Sequence, residues 1–315
     1  MKIFSACFFS FFLFSIQMQA QIPEAIFASN IKTAQLYVYG NQLSYPVIRL
    51  QSADRLELHF DDMDAGVRNY SYTYQLCDAD WKPAMLSQFD FIKGYSQMRI
   101  SNYRSSSIAF TRYTHYQAVL PDNNCRPSLS GNYILKVFRD GDTSKLLFTK
   151  RLLVVDPKAS AAATVQQPFN GQIFRTHQKI QFRLNVNEQL NLVNPLQQIK
   201  VVILQNNRWD NAVKDIRPSF YSRTTLDYNT ENDCVFPAGK EWRWLDLRSF
   251  RLQSDRVDHA LYANNRTEIF VKPDLQRNRQ EVNFYRDVNG LYTIECTESI
   301  NPLWQADYAR VNFRF

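Results

Sequence analysis

The stretch Tyr70-Ser71-Tyr72-Thr73-Tyr74-Gln75-Leu76 decides how this chain is read. Every second residue is large, so three tyrosines and a leucine share one face while Ser71, Thr73 and Gln75 share the other. A β-strand sends successive side chains to opposite faces, and a helix would scatter these residues around its axis. The same period of two runs through residues 55–60, 179–186 and 310–315. Residues 134–138, 146–155 and 199–204 are more continuously apolar and read as central strands. Turn signals lie between the strands, at Asp140-Gly141-Asp142, residues 127–131 and Asn289-Gly290. No stretch holds a helical period for three turns. The fold class is all-β.

Outward from these strands, a boundary falls within residues 156–168. Asp156-Pro157 ends a long apolar strand, and residues 158–164 are small and featureless. The 315 residues allow about two domains at roughly 150 residues each. The expected organisation is two immunoglobulin-like β-sandwich domains in series, residues 21–157 and 158–315. The chain stops on an amphipathic strand at Phe315, which either closes a sheet or continues in a longer protein.

Residues 1–20 read as a cleaved signal peptide: a basic start at Lys2, an apolar run over residues 3–16, and a cleavage site ending at Ala20. That run is shorter than the roughly 20 residues needed to span a bilayer. Cys7 precedes most of it, whereas a lipidated cysteine would follow, so a lipid anchor is rejected. No later segment is apolar enough to span a membrane. The expectation is an exported, soluble protein. Its formal charge of +7 is scattered along the chain, with no basic block that would mark a nucleic-acid surface. Cys77, Cys125, Cys234 and Cys296 remain after the leader. Oxidising conditions permit two disulfides, and buried free thiols are the equal alternative.

Catalytic and metal motifs are missing. Asp61-Asp62-Met63-Asp64 offers hard-cation oxygens, but a solvated turn after the strand ending at Phe60 is the favoured reading. His59, His115, His177 and His259 lack zinc spacing, and there is no Cys-x-x-Cys, P-loop or nucleophile elbow. The expectation is no enzyme and no cofactor. The chain is instead rich in aromatics, with 23 Phe, 17 Tyr and 5 Trp. Rings on alternating strands are core. Those in expected loops, beside Arg and Asn, have the composition of interface anchors. The candidate partner interface is therefore Trp81, Phe89, Phe91, Tyr95, Arg208, Trp209 and Asn211. Trp242 and Trp244 are expected on one strand face, and with Trp209 they are the platform of an alternative, an exported glycan-binding module.

Several ordered blocks resemble one family. They are Leu56-Glu57-Leu58-His59-Phe60-Asp61-Asp62, Tyr72-Thr73-Tyr74-Gln75-Leu76-Cys77-Asp78-Ala79-Asp80-Trp81 and Tyr113-Thr114-His115-Tyr116. Further blocks are Ser130-Gly131-Asn132-Tyr133-Ile134-Leu135-Lys136-Val137, Gln205-Asn206-Asn207-Arg208-Trp209-Asp210-Asn211 and Arg286-Asp287-Val288-Asn289-Gly290. Together they resemble the type IX secretion system plug proteins of Bacteroidetes, over about residues 31–315. The resemblance implies a periplasmic, non-enzymatic protein associated with the outer membrane. Its partner would be the very large outer-membrane translocon β-barrel, whose periplasmic opening it plugs. Members of the family are usually longer than this chain.

Overall fold

The computed structural model describes residues 22–238, 242–263, 266–274 and 287–314. The expected signal peptide, Glu241 and the terminal Phe315 lie outside them. Two sheets build the first part. In one, the order is Ala25–Ile26, Leu146–Val155, Gly131–Arg139, Tyr70–Cys77, Met98–Ile100, with Val47–Arg49 added parallel to Leu146–Val155. The other orders Ile31–Val38, Leu56–Asp62, Thr114–Leu120, Asn102–Ser105.

The inward faces of both sheets meet in one core. Leu56, Leu58, Phe60 and Tyr116 come from the second sheet, and Tyr70, Tyr72, Tyr74, Tyr133 and Phe148 from the first. Rings interlock at its centre. Phe60 stacks on Tyr116 with centroids 5.2 Å apart, and meets Tyr70 and Phe148 edge-on at 5.5 and 5.1 Å. Edge-to-face packing aligns ring edges with neighbouring π-faces and adds to the burial of large apolar area. The turn signal at Asp140-Gly141 is borne out: both residues take positive φ, 57° and 71°, and join two antiparallel strands.

The second part has a sheet ordered Ala159–Gln166, His177–Val186, Thr225–Tyr228, Phe220–Tyr221, with Val235–Pro237 also on His177–Val186. Phe182, Leu226, Tyr228 and Cys234 form its core. Val257–Ala263, Arg266–Val271 and Ala309–Asn312 make a further three-stranded sheet. Among the described residues the α-helices are three single turns, Gln88–Phe91, Pro195–Gln198 and Pro302–Gln305. None is long and apolar enough to cross a membrane.

Residues 158–164, featureless in the sequence, lie largely in the strand Ala159–Gln166, paired over its length with His177–Val186; its alanines sit opposite bulky residues, Ala163 against Phe182 and Ala161 against Leu184. Three local expectations are corrected. Residues 199–204 form no strand. Ile199, Val201 and Ile203 pack against the second core, but only Ile203 bridges, to Val213, because the apolar run has no second backbone to pair with. Trp242 and Trp244 lie on an irregular segment. Asp61 and Asp62 are buried ladder residues of Leu56–Asp62, not a solvated turn.

Candidate functional site

Asp62 shows why that strand continues. Its carboxylate accepts from Asn30 Nδ2 at 2.7 Å, Tyr70 OH at 2.8 Å and the Asp64 amide at 3.0 Å, with Arg68 Nε 3.6 Å away. A buried carboxylate is tolerated when donors replace its water. Among the described residues no cluster of His, Cys, Asp and Glu is arranged to hold a metal ion.

The loop aromatics divide sharply. Phe91 is fully buried and Trp81 is 4% exposed, whereas Phe89 and Tyr95 are 84% and 67% exposed. The cause lies in the single helical turn Gln88–Phe91: Ser87 and Asp90 close a capping box that fixes the turn, with Phe91 against the core and Phe89 outward. Exposed Met85 and Leu86 immediately precede it. Tyr95 follows Gly94, which sits at φ 97° so close to Asn124 that a Cβ would lie 2.1 Å from its carbonyl oxygen.

Trp81 and Trp209 meet inside the molecule. Their rings cross at 89° with centroids 5.1 Å apart, and the Arg151 guanidinium lies 5.0 Å from Trp81 and 4.6 Å from Trp209. Trp209 Nε1 donates to Tyr45 OH at 2.7 Å, and Glu24 pairs with Arg151 at 3.4 Å. Cys77 and Ile134 complete the small apolar cluster beneath. This joint clamps the loop at 205–211 onto the first sandwich. Arg208 pairs with Asp210 at the surface, while Asn211 donates to Gln205 Oε1 at 3.4 Å. Trp81, Phe91 and Trp209 are therefore spent on internal packing, and the exposed remainder of the expected interface is Phe89, Tyr95 and Arg208. Sequence named the two tryptophans but missed Arg151, Tyr45 and Glu24, which come from distant strands and turns.

A second constellation was not foreseen. On the outward face of the strand Leu56–Asp62, His59 Nδ1 lies 3.0 Å from His115 Nε2, and His115 Nδ1 lies 2.6 Å from Asp61 Oδ1. Tyr308 OH donates to Asp61 Oδ2 and lies 2.6 Å from Thr33 Oγ1. Tyr37 stacks on His59. Burial, with the neighbouring His115 second, pushes His59 down to about 3. Period two does place His59 and Asp61 on one face. The register that brings His115 opposite Asp61, and the return of Tyr308, are long-range facts.

All four described cysteines are free thiols, the second of the two alternatives left open by the sequence; Cys77, Cys125 and Cys234 are buried. Burial raises Cys77, Cys125 and Cys234 to about 11, 12 and 11.

Residues 31–156 match the model of the type 9 secretion system plug protein 1st domain. Over those residues the chain is similar to that plug domain. The match spans the core of the first sandwich and contains the turn bearing Phe89. A crystal structure of a hypothetical protein from Parabacteroides merdae ATCC 43184 is similar to this chain at TM-score 0.86 and 27% identity, covering 93% of this chain and 74% of that one. No curated protein matches the chain.

Proposed function

We propose that this protein is an exported, non-enzymatic component of the type IX secretion machinery that closes the periplasmic opening of the outer-membrane translocon barrel. The observation that carries the proposal is the plug-domain match over residues 31–156. In this reading residues 1–20 are a removed leader, and residues 21–157 and 158–315 are two sandwich domains held together by the Trp81–Arg151–Trp209 joint.

Plugging asks for a complementary surface of roughly 1,200 Å² or more, anchored by a few aromatics. Phe89 and Tyr95, with the exposed Met85 and Leu86, supply such anchors on a framework fixed by the core-buried Phe91. The joint makes the two domains seat as one body. The glycan-binding alternative needed Trp209 beside Trp242 and Trp244, and Trp209 is occupied by Trp81, Arg151 and Tyr45. Removing the protein from a cell with an otherwise intact translocon is expected to admit normally excluded solutes through the outer membrane. Unchanged permeability would contradict the plugging role.

A further inference from the structure

Part of the outward face of the sheet Ile31–Val38, Leu56–Asp62, Thr114–Leu120, Asn102–Ser105 is covered by chain from the far end of the sequence. Residues 291–308 lie on it through polar contacts. Gln35 Nε2 donates to the Tyr292 carbonyl at 3.3 Å, and Gln42 exchanges two bonds with Ile294, at 3.2 and 2.7 Å. Tyr113 OH donates to the Ala306 carbonyl at 2.7 Å. The Asp307 carboxylate accepts from the amides of Phe110 and Thr111 at 2.9 and 3.1 Å. Tyr308 reaches deepest, onto Asp61.

We propose that residues 291–308 are a proton-released latch on the first sandwich, held shut by the buried chain His59–His115–Asp61–Tyr308. With both rings neutral and the Asp61 carboxylate accepting, one arrangement of protons satisfies the chain. His115 donates from Nδ1 to Asp61, its Nε2 accepts from His59 Nδ1, and His59 Nε2 is left buried without a partner. That nitrogen is where an added proton must go. No described group around it lies within hydrogen-bond reach of a new cation. On its own strand, Glu57 Oε2 is 3.9 Å away and Asp61 is already bonded to His115 and Tyr308. Tyr37 stacks from one neighbouring strand and His115 from the other. Lys32, opposite Asp61 in the strand ladder, and Arg104, opposite His115, are exposed cations at the rim. The latch segment contributes Tyr292, Cys296, Asp307 and Tyr308, and Tyr113 closes the side; Asp61 raises the phenols of Tyr113, Tyr292 and Tyr308 further, so these stay neutral.

A histidine kept neutral by burial takes its proton only when the latch opens. Its folded value lies below the ordinary 6.5, so the closed state is at full strength above about pH 6.5 and loses about tenfold per pH unit below it, down to the folded value. Opening frees the sheet face without dissolving the aromatic core, which shares none of these bonds.

Hydrogen exchange of the full chain, corrected for the intrinsic pH dependence of exchange, tests this between pH 7.5 and 5.0. Residues 291–308 are expected to lose protection about 30-fold while Gly131–Arg139 keeps its own. His59→Phe, which keeps a ring on Tyr37 but cannot take a proton, is expected to reduce the response to under about threefold. Should that variant fail to fold, the His59 imidazole resonance in the unaltered protein decides instead: it must titrate with the opening of residues 291–308. Unchanged protection at pH 5.0, an equal response in His59→Phe, or loss of Gly131–Arg139 at the same pH would each overturn the latch.

Discussion

Trp209→Ala is the sharpest probe of how the two parts are joined. The change deletes three contacts at once. The edge-to-face pair with Trp81 is worth about 1 kcal/mol beyond burial. The partly desolvated cation–π contact with Arg151 adds about 1 kcal/mol, since that side chain is only 15% exposed. The hydrogen bond from Nε1 to Tyr45 contributes about 1 kcal/mol. Together these come to about 3 kcal/mol, the lower end of the range for truncating a large aromatic, as suits a half-buried ring. For a unit of 150–250 residues this lowers the midpoint by roughly 6–12 °C. The loss should fall on the joint, because the core around Phe60, Tyr70, Tyr116 and Phe148 touches none of it. Differential scanning calorimetry should therefore resolve an earlier transition in the variant, with the first sandwich melting as before. Trp209→Phe keeps a ring over Arg151 and is expected to recover at least half of the loss. A midpoint shift under about 3 °C for Trp209→Ala, or no recovery in Trp209→Phe, would refute the clamp.

Other expectations follow from the same geometry. Gly94→Ala forces a side chain at φ 97° against the Asn124 carbonyl and is expected to cost at least about 2 kcal/mol, read by denaturant unfolding. At pH 8 a thiol reagent should modify the partly exposed Cys296 first, while Cys77, Cys125 and Cys234 wait for unfolding because burial holds their thiols protonated; simultaneous reaction of all four would contradict this. Mild reductant should leave the melting midpoint unchanged. Phe60→Ala is expected to cost about 3–5 kcal/mol, since three rings lose their common neighbour.

What the sequence made legible follows from the range of each interaction. Tyr70–Cys77 and Leu56–Asp62 were readable because alternation is written into adjacent residues. Residues 199–204 were misread for the same reason, since an apolar run reports burial but not whether a second backbone lies alongside. Residues 158–164 looked featureless because alanine and serine carry little strand preference; the pairing of Ala159–Gln166 comes from the opposing strand, which supplies the bulk. The loop rings stand apart by composition, which could not say which way each faced. One helical turn separates the exposed Phe89 from the buried Phe91, and Trp209 is claimed by Arg151 from a strand far earlier in the chain. The His59–His115–Asp61–Tyr308 chain was invisible because it needs both strand register and a return from residue 308.

Under the proposed function, the exposed Phe89 and Tyr95 dock this protein onto the translocon barrel. The direct measurement is affinity purification from native envelopes, comparing the unaltered protein with a Phe89→Ala, Tyr95→Ala double variant. Both side chains are exposed, so the variant should melt within about 3 °C of the original. The account predicts that a giant outer-membrane β-barrel copurifies with the unaltered protein and is reduced at least about tenfold with the variant. Failure to recover any such barrel, or equal recovery by both proteins, would contradict it.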